Sequence, residues 1–207
     1  MAGIGYEVGA HAVDPPRLAL VLEHQNVESG VMTDGGSADP VGPFHRQLFG
    51  IVDRLRIHEV DPTENTVLLV TGAAGGVGSI LTQLARRLTG VTVIGTASRA
   101  RTREWVLAHG AHHVINHREP WAPQLLALGI KEVDFVVGLN QSAGYVPQIA
   151  AVMRPEGKFA LIDDPVALDI GPFKTKSISI HWELMYTRPI FTTRTIARQH
   201  ALLRRMA

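Results

Sequence analysis

Apolar and polar positions along the chain fall into two regimes that meet near Pro43. From Met1 to Pro43 the pattern is irregular and broken by turn formers: Asp14-Pro-Pro16, Ser29-Gly30, Asp34-Gly-Gly-Ser-Ala-Asp-Pro40 and Gly42-Pro43. Only Arg17–Leu22 has the apolar density of a short element. This stretch is expected to be an irregular leader, poorly ordered or loosely attached. From Phe44 to the end the pattern is regular and reads as one domain, 44–207. Leu48–Leu55 is apolar at helical spacing and stops before Asp61-Pro62. Thereafter short continuous apolar runs alternate with longer amphipathic ones. The runs Thr66–Thr71, Val91–Thr96, His113–Asn116, Val133–Val137, Lys158–Ile162 and Ser177–Trp182 predict strands. Val77–Leu88, Ala100–His109, Trp121–Leu128, Tyr145–Met153 and Thr193–Arg205 predict helices.

Strand cores such as Leu68-Leu-Val70 and Phe135-Val-Val137 are apolar at consecutive positions rather than alternate ones. That is the mark of a parallel sheet covered on both faces. Alternation of strand and helix then predicts right-handed crossovers and a doubly wound α/β fold of Rossmann type. In such sheets ligands bind beyond the carboxyl ends of the strands. Gly72–Gly78, Ala97–Arg101, Gly138–Asn140 and Asp163–Pro165 are therefore expected to line one crevice.

The richest signal lies after the first strand. Gly72-Ala-Ala-Gly75-Gly76-Val-Gly78 leads directly into a helix, which is the layout of a dinucleotide-binding turn. Counted from Ala73 the spacing is A-x-G-x-x-G. It puts the tight turn at Ala73, a phosphate approach at Gly75 and close helix–strand packing at Gly78. The end of the second strand decides the cofactor. It reads Ile94-Gly-Thr-Ala-Ser-Arg-Ala-Arg101, and no Asp or Glu occurs from Thr66 to Arg103. An NAD site would place an acid there for the ribose 2′-hydroxyl. Ser98 with Arg99 or Arg101 suits a 2′-phosphate instead, so NADP is expected. His117, past the third strand, is placed to cover the adenosine end.

Composition narrows the classes. The chain has 207 residues, 45% hydrophobic and 19% charged, with a formal net charge of +1 and no Cys. The charge makes no case for nucleic acid. Absence of Cys removes disulfides, thiol nucleophiles and Cys-based zinc sites. No apolar run reaches membrane-spanning length, and a cytoplasmic location is expected. His109, His112, His113 and His117 cluster in sequence. His112 and His113, however, point to opposite faces of a strand, and no acidic partner is spaced to complete a site, so no metal is expected. Asp163-Asp164-Pro165 reads as turn chemistry at a strand end with a cofactor contact. No catalytic residue can be named from these patterns.

Two dehydrogenase superfamilies share such a turn. The short-chain type requires Tyr-x-x-x-Lys, but the residues four after Tyr6, Tyr145 and Tyr186 are Ala10, Ile149 and Ile190. The chain instead resembles the medium-chain dehydrogenase/reductase superfamily, in its zinc-independent quinone-oxidoreductase branch. Within it the similarity is to bacterial zinc-type alcohol dehydrogenase-like proteins. The residues carrying this are Leu55-Arg-Ile57, Val70–Ser79, Gly95–Arg99, Gly110–His117, Gly157–Pro165 and Ser177–Glu183. The resemblance covers Phe49 to Ala207. It implies NADPH-dependent hydride transfer to a quinone, enone or carbonyl substrate without metal. It places phosphate contacts at Gly75, Gly76 and Val77, and the 2′-phosphate at Ser98 and Arg99. It places the ribose and nicotinamide side at Leu139 and Ile162. It also implies a homodimer joined edge to edge through the strand at 177–183. The family's GroES-like catalytic domain is expected to be largely absent, which leaves an isolated cofactor domain. A second reading follows from that: a catalytically silent nucleotide-binding or interaction protein.

Overall fold

The computed structural model describes residues 50–52, 54–57, 65–184, 186–195 and 197. The leader Met1–Pro43 and most of the helix expected at Thr193–Arg205 lie outside them. Six strands form one parallel sheet: β1 (Val67–Val70), β2 (Thr92–Thr96), β3 (His113–Ile115), β4 (Val133–Gly138), β5 (Met153–Leu161) and β6 (Ser179–Trp182). Their order is β3-β2-β1-β4-β5-β6, and every pairing is parallel. Residues 50–52 and 54–55 are helical, within the run expected at Leu48–Leu55, and the helices between β1 and residue 190 are α1 (Gly76–Leu88), α2 (Ala100–Ala108), α3 (Trp121–Ala127), α4 (Ser142–Val152) and a single turn, α5 (Thr187–Ile190). This is the Rossmann-like, doubly wound fold expected from the sequence.

The continuous apolar runs serve two cores. In β1 every residue is buried, and successive side chains feed opposite faces. Leu68 and Val70 join Leu81, Ala85, Val93, Val106, Phe135 and Val137 on the side of α1 and α2. Val67 and Leu69 join Ile94, Trp121, Leu125, Val136, Ile149 and Phe159 on the side of α3 and α4. A strand buried on both faces has no position for a polar side chain, which is why the sequence shows no alternation there.

Boundaries differ from expectation in two informative places. β5 begins at Met153 rather than Lys158, because Met153 pairs with Val133 before a register shift. Arg154 and Pro155 look unlike a strand, but Arg154 Nε pairs with Asp134 Oδ1 at 2.5 Å across the bulge. α4 begins at Ser142 rather than Tyr145. Its first amide, Ser142 N, donates to Asp163 Oδ2 at 2.8 Å, and Ser142 Oγ donates to Oδ1 at 2.5 Å. The cap thus comes from beyond β5. Between β5 and β6 a 3₁₀ helix, Gly171–Lys176, tucks Phe173 into the second core. At 193–195 the chain is not helical.

Candidate cofactor site

Strand order reverses direction between β1 and β4, so the loops after them diverge and open a crevice. One hydroxyl ties the junction together. Thr71, fully buried, donates from N to Val137 O at 2.9 Å and from Oγ1 to the same oxygen at 3.4 Å. Its Oγ1 accepts from Leu139 N at 3.2 Å. Ile162 N donates to Gly138 O at 3.1 Å, which extends the junction to β5.

The glycine turn sits on this junction, with one correction to its expected anatomy. The left-handed residue is Gly72, at φ +64°, not Ala73. Ala73 is buried beside α1 instead. Gly75 N donates to Gly72 O at 2.9 Å and closes the turn. Gly78 is needed for packing: a Cβ there would lie 2.5 Å from Gly72 O and 2.6 Å from Ala73 Cα. At Gly76 a Cβ would meet nothing within 4 Å. Gly76, the first residue of α1, therefore faces open space. No side chain caps α1 and no acid lies in its first turn. Its leading N–H groups have no intrahelical acceptor and point where an anion would sit.

The expected residues converge on this end of the sheet. Gly75 and Gly76 are exposed, and Val77 is half-buried. Ser98 and Arg99 follow β2, with Arg99 exposed as the residue that precedes α2. Leu139 and Ile162 are half-buried against the α1-side core. His117 follows β3 and lies edge-on to Tyr145 at 6.3 Å between ring centroids. Tyr145 also packs on Trp121 at 5.2 Å and donates to Gln141 Oε1 at 3.3 Å. Burial, and then the Arg118 charge, lowers the His117 pKa below its usual value, so the ring is neutral at pH 7. Burial raises that of Tyr145.

Three features escape the sequence reading. Thr71 as a strand tie was signalled only by a polar residue ending an apolar run. Gly72 as the left-handed turn was signalled by its place directly after β1. Tyr145 beside His117 had no local signal, since the two residues belong to different helix–strand units.

The other histidines hold separate posts. His109 Nδ1 lies 2.7 Å from Trp105 O, with its ring stacked on Trp105 at 4.0 Å. His112 Nδ1 accepts from Val93 N at 2.9 Å. Among the described residues no group of three or more His, Asp or Glu is gathered as a metal would need. Asp163, committed to Ser142, is not a free acid.

A glycine turn at the switch point, opening onto an uncapped helix start, defines a Rossmann-like domain of the dinucleotide-binding kind. The sequence profile of the zinc-binding dehydrogenase family matches residues 76–198. The chain belongs to that family, and what it contains is the cofactor-binding domain of the medium-chain dehydrogenase/reductase superfamily. It is 39% identical over 150 residues to a zinc-type alcohol dehydrogenase-like protein of Staphylococcus aureus strain Mu50, covering 69% of this chain and 43% of that protein. It is 42% identical over 124 residues to human quinone oxidoreductase, covering 59% of this chain and 37% of that one. A crystal structure assigned as a zinc-dependent alcohol dehydrogenase from Rhizobium etli CFN 42 superposes with a TM-score of 0.72 at 44% identity, over 79% of this chain and 48% of that one. The Escherichia coli quinone oxidoreductase solved with NADPH shares the fold, with a TM-score of 0.61 at 22% identity over 78% of this chain and 50% of that one. The chain thus spans less than half the length of the curated relatives it matches.

The family's name implies zinc, and the donor set here does not fit it. The chain has no Cys, and among the described residues no three or more His, Asp or Glu gather as a metal site would need. No chemical step is assigned to a metal. Among the described residues no helix is long and apolar enough to cross a membrane.

Proposed function

We propose that this domain binds NADPH and serves hydride transfer to a small quinone, enone or carbonyl substrate. The observation that carries this reading is the juxtaposition of two things. One is the open, uncapped start of α1 at Gly75, Gly76 and Val77. The other is the acid-free end of β2, with Ser98 and exposed Arg99. The first suits a pyrophosphate and the second a 2′-phosphate. His117 and Tyr145 offer a neutral aromatic flank to the adenosine half. Leu139 and Ile162 form the apolar side toward the nicotinamide, which supplies the hydride when bound. The NADPH held by the Escherichia coli quinone oxidoreductase of the same fold is in keeping with this choice.

A homodimer accompanies the reading. β6 ends the sheet order, and Trp182 on it is 55% exposed. Leu184, Tyr186, Ile190 and Phe191 add exposed apolar surface just beyond it. An apolar open edge favours pairing with a second copy about a two-fold axis. A cytoplasmic setting suits a Cys-free chain that draws on a nucleotide pool.

A second reading, nucleotide binding without turnover, is favoured by one observation. Asp163, just past β5, accepts from Ser142 N and Oγ, so this carboxylate is tied to the start of α4. Titration calorimetry with NADPH and NADH, followed by turnover with a small quinone, tests both. Tight NADPH binding with quinone-dependent oxidation supports the first reading. Binding without oxidation selects the second. Failure to bind either nucleotide overturns both.

A further inference from the structure

The short helix ahead of β1 is fastened to the sheet by charged side chains from β5 and from the end of β6. Its described residues, 50–52 and 54–55, are followed by Arg56 at φ +56° and by Ile57. Ile51, Leu55 and Ile57 are buried in the α1-side core. Lys158 Nζ, from β5, donates to Leu55 O at 3.1 Å, one of the carbonyls that a helix end leaves open. Glu183, buried just past β6, accepts from Arg54 Nε at 2.8 Å. Its carboxylate lies against the helix: a Cβ on Gly50 would be 1.8 Å from Glu183 Oε1.

His181 stands among these groups and is not bonded to them. It pairs with Ala160 in the β5–β6 ladder. Ile180 beside it packs on the second core, so alternation turns His181 to the other face, with Glu183 and the helix. Its Nε2 is buried with no hydrogen-bond partner among the described residues. Such a nitrogen is uncommon, and it costs least on a neutral ring. The charged groups around it are Lys158 from β5, Arg54 from the helix and Glu183 from the end of its own strand. Glu183 is already engaged with Arg54. Burial, then the charge of Lys158 and then that of Arg54, lowers the His181 pKa. A proton on this ring makes a third cation beside Lys158 and Arg54, with an N–H that has nothing to donate to.

We propose that His181 is a proton-operated latch: neutral, it lets residues 50–57 seat on β5 and β6; charged, it drives them off. The helix gives way rather than the strand. The Arg54 side chain is 39% exposed and can swing into water, whereas β6 keeps its ladder with β5. Leu139 and Ile162 pack on the same core as Ile51 and Leu55, so acid release of the helix also withdraws support from the crevice. The latch needs no bound nucleotide and is tested without one.

The test is hydrogen exchange by mass spectrometry on the unmutated chain, His181→Gln and His181→Met, at pH 7.5 and pH 5.5. Rates are corrected for the pH dependence of exchange itself, and β1 at the sheet centre is the internal reference. In the unmutated chain, protection of residues 50–57 is expected to fall about three- to tenfold more than that of β1. The upper figure is the gain of an open form that binds one more proton, tenfold per pH unit below about 6.5. Both variants, unable to take the proton, are expected to lose this difference. Equal falls at 50–57 and β1 in the unmutated chain overturn the latch, and so does a difference that persists in both variants. Protection of β1 at pH 7.5 checks that the variants fold. If neither does, NMR titration of the His181 ring in the unmutated chain decides: titration below about pH 6.5 supports the latch, and titration at or above it overturns it.

Discussion

At the scale of single residues, the glycine turn separates two roles that look alike in sequence. Gly78 is glycine because backbone occupies the place of its side chain. Gly76 faces open space, and its lack of a side chain matters only to a ligand. Gly78→Ala is therefore expected to destabilise the protein, with a lower melting temperature and no ligand present. Gly76→Val is expected to melt within a degree or two of the unmutated chain yet lose NADPH binding by calorimetry. Full NADPH affinity in Gly76→Val would place the phosphates elsewhere. Arg99 carries the choice of cofactor. Arg99→Ala should weaken NADPH about tenfold or more, the measure of a lost charge-assisted phosphate contact, and leave NADH unchanged. Equal losses for both nucleotides would remove Arg99 from the 2′-phosphate. Much of this site was legible, because Gly75, Gly76, Val77, Ser98 and Arg99 belong to two short contiguous motifs. Tyr145 was not legible as a neighbour of His117, because the two lie far apart along the chain and only their ring contact defines the pair.

At the scale of elements, strands buried on both faces announce themselves, since parallel pairing under helices demands unbroken apolar runs. The misplaced boundaries are those settled by distant partners. The start of α4 depends on Asp163, 21 residues from Ser142. The start of β5 depends on pairing between Met153 and Val133. His112 shows another element held by a side chain. Its Nδ1 accepts from Val93 N while its own N donates to Val93 O at 2.8 Å, which extends the β2–β3 pairing by one residue. Burial, then the charges of Arg86 and His113, lowers its pKa from 6.5. The folded state thus takes up this proton at lower pH than the unfolded chain does. The contribution of His112 to stability is complete above about pH 6.5 and is lost as pH falls toward its folded value. His112→Asn, whose Oδ1 can accept from Val93 N without titrating, should flatten the acid side of a urea-midpoint-versus-pH curve between pH 5 and 7. His117 and His181 shift the same way, so some slope remains. A curve superimposable on that of the unmutated chain would show that His112 is not linked to folding.

At the scale of the whole molecule, the sheet has two edge strands, β3 and β6, and β6 carries the exposed Trp182. Glu183 N donates inward to Leu161 O at 3.0 Å. By alternation the amides of Trp182 and Ile180 point outward, away from β5. Ile180→Pro therefore removes an outward donor and spares the pairing with β5. If two copies join along β6, sedimentation velocity of the unmutated chain at tens of micromolar should show a dimer, and Ile180→Pro a monomer. A monomeric unmutated chain would sink the dimer. The sheet order has one more consequence, which concerns time rather than shape. β1 lies at the centre, and its first amide, Val67 N, is held by Asp134, 67 residues later. The half-sheet β1-β2-β3 can assemble from neighbouring segments, but the seam between β1 and β4 closes a long loop. Thr71, Leu139 and the crevice above them exist only once that seam has closed. Pairing of β1, β2 and β3 is therefore expected to precede formation of the nucleotide crevice, which pulse proteolysis of chains halted before β4 would check.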